Sequence, residues 1–415
     1  MKNFGIASNF FFRDPSHCSQ RNQLAEIAPR AIPVCITIKE DFMKKLVATL
    51  GLTLAAMSAN ATEVRLYGLV DLGISATRAN GQTNVEMKSG MRNSSRFGLK
   101  GTEDLSNGYK IGFILESQFK ADSGVLQTEG TLWERESSLI IDTPYGKITA
   151  GRIGYLKGVV GSTALLNSYR VNPFGGVMSN YVTGFKAYTT GTTWYVNNGI
   201  VYASPKFSNT EVFLQYSNGY NASNPDDSDT FNSNDRYYAA AVRYMNGPLF
   251  LQSIVDTTNL GNEKNKSTVN DKNSRDPISL GFQAAYDFGF IKPYFMIEGF
   301  KNSQLNKIGG STGRSVAKVG GFDGVGGTLV VQWPMFGGKA KFGGGYLKAE
   351  RAEEKTAADK FDVTRCGLSA GFDYNLSKTT HLYVDAGYFH QKEETLKATT
   401  KSHGSEFVMG MVHYF

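Results

Sequence analysis

Apolar and polar residues alternate with a period of two along much of this chain. That is the spacing of a β-strand whose successive side chains point to opposite faces. Val64, Leu66, Val70, Leu72 and Ile74 share one face, and Arg65, Tyr67, Asp71 and Gly73 share the other. Between 109 and 120, Ile111, Phe113, Leu115 and Phe119 alternate with Lys110, Gly112, Glu116 and Gln118. Between 379 and 389, Leu382, Val384, Ala386 and Tyr388 alternate with His381, Tyr383, Asp385 and Gly387. The last ten residues, Glu406 to Phe415, put Phe407, Met409, Met411, His413 and Phe415 opposite Glu406, Val408, Gly410, Val412 and Tyr414. Each segment is weak evidence alone, and the repetition carries the argument. Glu136 is the misfit, since it shares a face with Ser138 and Ile140.

A strand with an apolar face at the end of a chain leaves an edge open to pairing with other chains. Pairing it with the first strand closes the sheet, and a sheet in lipid must close because no water is there to satisfy free N–H and C=O groups. The connections support this. Short turns are expected at Asp104–Gly108, Thr143–Gly146, Ser204–Phe207, Asn246-Gly247, Phe288–Phe290, Trp333–Gly337 and Asn375–Lys378. Most carry Gly, Pro or Asn, as tight turns require. Longer segments fall at about 76–90, 122–132, 154–192, 218–234, 259–275, 304–316, 351–358 and 394–402. Seven turns and eight loops make fifteen connections, hence sixteen strands. The expected fold is all-β, a 16-stranded antiparallel transmembrane β-barrel with short turns at one end and long loops at the other. A soluble β-sandwich is the alternative.

The start of the chain places this barrel outside the inner membrane. Met43-Lys44-Lys45, the apolar run Leu46 to Met57 and Ala59-Asn60-Ala61 make a secretory signal peptide over 43–61, too short to be a spanning helix. Residues 1–42 are expected to be an upstream extension outside the native product, and 62–415 to be the barrel. Cys366 is the one cysteine after position 61, which rules out an internal disulfide there. After position 61 the chain holds 37 basic and 33 acidic residues, a balance that points to no nucleic-acid partner. No later run of eighteen apolar residues provides a transmembrane helix. The localisation that follows is the outer membrane, reached through the periplasm.

Several stretches resemble the general porins of β-proteobacteria and neisseriae. They are Leu66-Tyr67-Gly68-Leu69-Val70-Asp71, Ser95 to Leu105 (S-R-F-G-L-K-G-T-E-D-L), Tyr145 to Arg152, Leu376 to Tyr383 and Gly410 to Phe415. The resemblance implies a homotrimer of barrels, a third loop folded inward to narrow the pore, and passive diffusion of small hydrophilic solutes. It also implies contact with outer-membrane lipid and lipopolysaccharide. A last strand ending on Phe415 resembles the address read by the outer-membrane assembly machinery. This chain departs from the family at Thr379, Val412 and Tyr195, where arginine is usual.

The long loop 154–192 is the functional suspect. Its centre, Asn172-Pro173-Phe174-Gly175-Gly176, resembles a loop-three motif of enteric porins but lacks the carboxylate between Pro and Phe. From Thr143 to Thr210 there is no Asp or Glu, while Lys147, Arg152, Lys157, Arg170, Lys186 and Lys206 are present. Fixed charges around a constriction act together on a passing ion, and basic rings favour anions. The pore-lining candidates are Arg96, Arg135, Arg152, Arg170 and Lys186, with Glu116 as the opposing carboxylate, and a mild anion preference follows.

No enzyme, cofactor or metal is expected. His381, His390, His403 and His413 form no metal-ligand spacing. His381 shares a parity with Asp385, and a hydrated wall histidine explains it. Gly320–Gly327 reads as a strand start with close backbone packing. Asp226, Asp227 and Asp229 read as a solvated loop, with calcium as the other option. A substrate-specific channel, a plugged adhesive barrel and a lipid-acting barrel enzyme remain as alternatives.

Overall fold

The computed structural model describes residues 63–79, 81–166, 168–174, 184–191, 195–219, 235–259, 276–308, 321–352 and 360–415. The expected extension and signal peptide lie outside the described residues, as do most of the expected loops 218–234, 259–275, 304–316 and 351–358.

The strands in chain order begin with β1 (Glu63–Ala79), β2 (Gln82–Ser89), β3 (Arg96–Asp104), β4 (Lys110–Gln118), β5 (Glu136–Thr143) and β6 (Gly146–Gly154). They continue with β7 (Tyr195–Ala203), β8 (Thr210–Asn218), β9 (Arg236–Asn246), β10 (Leu249–Asn259), β11 (Ile278–Tyr286) and β12 (Lys292–Ser303). The last five are β13 (Phe322–Met335), β14 (Gly338–Arg351), β15 (Phe361–Asn375), β16 (Thr380–Thr395) and β17 (Thr399–Tyr414). From β3 onward each strand pairs antiparallel with the next, and β17 returns to β1, with Leu69 opposite Tyr414 and Ala79 opposite Gly404. Phe415 and Gly68 then exchange two backbone hydrogen bonds of 3.1 Å. The barrel is closed.

Seventeen strands make sixteen staves because β2 and β3 are two halves of one. Both pair with β1, Leu72 facing Ser89 and Leu69 facing Arg96. Three steps along β1 therefore match seven along its partner, and the four extra residues are thrown out as the turn Gly90–Ser95. Asp71 holds that turn, accepting from the backbone N–H of Arg92 at 2.8 Å and of Asn93 at 2.6 Å.

Two expected loops are strands instead. β1 and β2 run through 76–90 and turn tightly at 80–81, and β16 and β17 run through most of 394–402. In these stretches polar residues occupy both faces. Beyond the lipid the outer face needs no apolar side chains, so the alternation fades while the ladder hydrogen bonds continue.

The alternation elsewhere has the expected sense. Leu66, Leu139, Leu329, Leu368, Phe407, Met409 and Met411 are exposed on the outer face. Asp71, Gln215, Gln283, Asp385, Glu406 and Val412 are buried on the inner face. Glu136 is resolved as an inner-face residue beside Ser138, with Leu139 and Ile141 pointing out.

Candidate functional site

Segment 154–191 includes α1 (Ser168–Val171) and a 3-10 turn, Phe185–Tyr188. Its apolar side chains Leu156, Leu165, Leu166, Val171 and Phe185 are buried in one cluster with Val196, Tyr237, Ile254, Met296 and Val330 of the wall. Fully burying such a side chain is worth about 1.5–3 kcal/mol, so several together fix the segment's place. Polar contacts add direction. Arg365 donates to the carbonyl of Ala187 at 2.5 Å and to Gln391 at 2.8 Å. Lys341 donates to the carbonyl of Pro173 at 3.3 Å, and Asn306 to those of Lys186 and Thr189, each at 3.0 Å. Lys157 Nζ lies 3.0 Å from Glu298 and 3.6 Å from Asp256. Burial works against its charge, but the two carboxylates outweigh this and hold the ammonium above the usual lysine range. The phenol ring of Tyr188 lies over Gly326, Gly345 and Gly367, one glycine from each of β13, β14 and β15. A Cβ at any of the three would overlap Tyr188.

Three of the expected pore residues meet on the opposite wall. Glu116 Oε1 accepts from Arg135 Nε at 2.5 Å, and Glu116 Oε2 lies 3.3 Å from Arg96 Nε. Tyr67 donates its hydroxyl to Glu116 at 3.1 Å. Arg152 stands nearby, donating to the carbonyl of Glu134 at 2.6 Å and to Asn197. Tyr195 joins the groups, for Arg152 and Arg135 lie 5.0 and 5.9 Å from its ring centre. The position where arginine was expected thus carries an aromatic face that two other arginines use. Arg96, Glu116, Arg135, Glu136 and Ser162 line a cavity of about 340 Å³. Arg170 and Lys186 lie elsewhere on segment 154–191. Arg170 is exposed, with Met245 Sδ at 3.9 Å, and Lys186 is half-buried in the 3-10 turn.

The sequence reading missed part of this wall. Glu134 is buried beside Arg135, and burial pushes its carboxyl up from the usual range. Glu136 binds segment 154–191, accepting from the Ser162 backbone N–H at 2.7 Å and hydroxyl at 2.5 Å. A second cluster joins Arg92, Lys341, Asp373 and Asp385. Arg92 holds Asp373 through both terminal nitrogens, and Lys341 lies 2.9 Å from each aspartate. Parity alone would have placed Lys341, Arg365 and Asp373 on the inner face. Arg92 has no parity to read, because it sits on the thrown-out turn. His381 bonds Asn375 at 2.7 Å, while Asp385 is taken by Lys341. Gly326 belongs to β13 and packs against Tyr188, as a strand with close backbone packing should. Asp226, Asp227 and Asp229 lie outside the described residues.

Residues 48–394 match the Gram-negative porin family. The chain belongs to that family. This porin is 27% identical to an outer membrane porin protein of Bordetella pertussis over 83% of this chain and 94% of that protein. It is 28% identical to outer membrane porin protein 32 of Delftia acidovorans, over 85% and 91% of the two chains. In fold the porin resembles the anion-selective porin from Comamonas acidovorans, with a TM-score of 0.61 and 22% identity over 86% of this chain and all of that one. The porin's place is the outer membrane.

Proposed function

We propose that this porin forms a water-filled channel through which small hydrophilic solutes and ions diffuse passively, with a mild preference for anions. It acts as a channel and performs no catalysis. Segment 154–191 folds inward and narrows the lumen, facing the wall that carries Arg96, Arg135 and Arg152. The observation that carries the anion preference is the unequal access of water to the charges. The Arg96 side chain is 25% exposed and that of its partner Glu116 only 9%. Arg152 is half-buried, while Glu134 and Glu136 are fully buried. A passing ion therefore meets guanidinium groups with the carboxylates behind them. Low-dielectric walls focus that field, and the buried carboxylates keep it modest. Arg170 and Lys186 add positive charge along the segment.

The functional unit is a homotrimer whose outer faces meet outer-membrane lipid and lipopolysaccharide, and Phe415 serves assembly. The relative from Comamonas acidovorans is itself described as anion-selective, which supports the sign. Zero-current potentials across a planar bilayer under a KCl gradient test the proposal. A chloride-favouring potential is expected, and a clear preference for potassium would overturn it. Three equal closing steps in single-channel records would report the trimer.

A further inference from the structure

The outer face of β12, β13 and β14 carries a groove that the channel function does not use. It has a volume of about 740 Å³ and is walled by Phe295, Ile297, Val325, Leu329, Phe342 and Tyr346. Its floor is backbone, formed by Gly326, Gly327, Gly343, Gly344 and Gly345. The volume falls within the roughly 300–1,000 Å³ of small-molecule sites. Surfaces that simply face lipid are covered by side chains, and here two neighbouring strands withdraw theirs together.

The groove has a charged end. Val325 faces Lys348 across one side of β13 and Gly299 across the other, and Lys301 stands two residues beyond Gly299. Lys301 and Lys348 are both exposed and share the outer-face parity of the groove walls. Neither forms an ion pair with another described residue. They mark the first polar row at the end of the barrel where the long connections lie. An apolar trench that ends in two lysines at the membrane boundary is complementary to a chain of methylenes joined to a phosphate.

We propose that this groove holds one acyl chain of a phosphate-bearing lipid of the outer leaflet, with Lys301 and Lys348 on its phosphate. The proposal rests on the reading that the outer face meets lipid and names the place and the chemistry. Each lysine near an anionic lipid surface contributes on the order of a tenfold change or slightly less.

The test is native mass spectrometry of the assembled porin in detergent, titrated with lipid A and with its fully dephosphorylated form. The expected result is one lipid A per subunit that survives detergent release, with the dephosphorylated form held more weakly. K301Q/K348Q should weaken lipid A by about thirtyfold and abolish the difference between the two forms. Gly344→Leu should fill the groove and weaken both forms alike. Its new side chain meets Leu368 before any other side chain, and heat-modifiable migration checks that the barrel has formed. Equal retention by the native porin and K301Q/K348Q would overturn the proposal. So would loss of trimers in folded Gly344→Leu, which would make the groove a contact with a second copy of the chain. Conductance separates this from the channel reading: a conducting porin with no retained lipid refutes the groove alone.

Discussion

The ring of Tyr188 occupies the space that a Cβ on Gly345 would need. Segment 154–191 is seated on the far wall at that point, and the seat exists because β14 has no side chain there. Gly345→Ala should displace the ring and cost about 1–3 kcal/mol, as overpacking does. Tyr188→Ala should cost about 3–5 kcal/mol through the cavity it leaves. The double variant should be less destabilised than the sum, because the alanine methyl then fills vacated space. Thermal unfolding of the four proteins measures this, and strict additivity would show that ring and glycine are uncoupled.

Selectivity should follow the charges at Glu116. Glu116→Gln leaves Arg96 and Arg135 without their shared carboxylate and should raise the chloride-to-potassium permeability ratio. Arg96→Gln should lower it. A unit charge at 4 Å in water is worth about 1 kcal/mol, so each shift should be no more than about fivefold. Both should shrink as salt rises past 0.1 M, where the Debye length is about 10 Å. Unchanged zero-current potentials in both variants would remove these residues from the ion path.

Lys157 ties segment 154–191 to Asp256 and Glu298. Lys157→Met strands two carboxylates and should cost about 3–5 kcal/mol, whereas Glu298→Gln, which leaves Asp256, should cost less. The pH dependence has a definite sign. With its pKa held above the ordinary 10.5, the lysine contributes fully below that value, and the contribution is lost as pH rises through the higher folded value. Channel flicker should therefore stay low through neutral and mildly alkaline solution and rise only beyond the usual lysine range. Flicker that sets in well below pH 10.5 would mean that another group seats the segment.

Phe415→Ala keeps the two backbone bonds to Gly68 but removes the ring that lies over that glycine. Less folded trimer should reach the outer membrane, while the channels that do form should conduct as before. Quantitative surface labelling together with single-channel recording separates the two effects. Normal trimer levels would deny the ring a part in assembly.

The barrel was legible because lipid imposes a rule on one face of every stave. Leu139, Leu329 and Met409 obey it, and even Glu136 falls into place once Leu139 and Ile141 point outward. Where water replaces lipid the rule lapses, and the upper parts of β1, β2, β16 and β17 read as loops. The candidate site was legible only in part. Arg96, Glu116, Arg135 and Arg152 sit on or beside short strands with clear parity. Arg92 was hidden because four surplus residues break its stave, and no periodicity announces such a break. Counting charges also misled: Lys157 adds to the basic tally of its segment, yet Asp256 and Glu298, far along the chain, claim its charge.

Gly326 and Gly345 belong to two surfaces at once. On one side they carry the ring of Tyr188, and on the other they form part of the groove floor. No side chain of either residue stands between, so this stretch of wall is a single peptide layer. Elsewhere the hydrocarbon and the permeating solution are kept apart by side chains on both faces of the sheet. Here the insulating medium comes nearest to the ions, at the height where segment 154–191 crosses the lumen. The barrel is thus thinnest, as a dielectric partition, beside its narrowest passage.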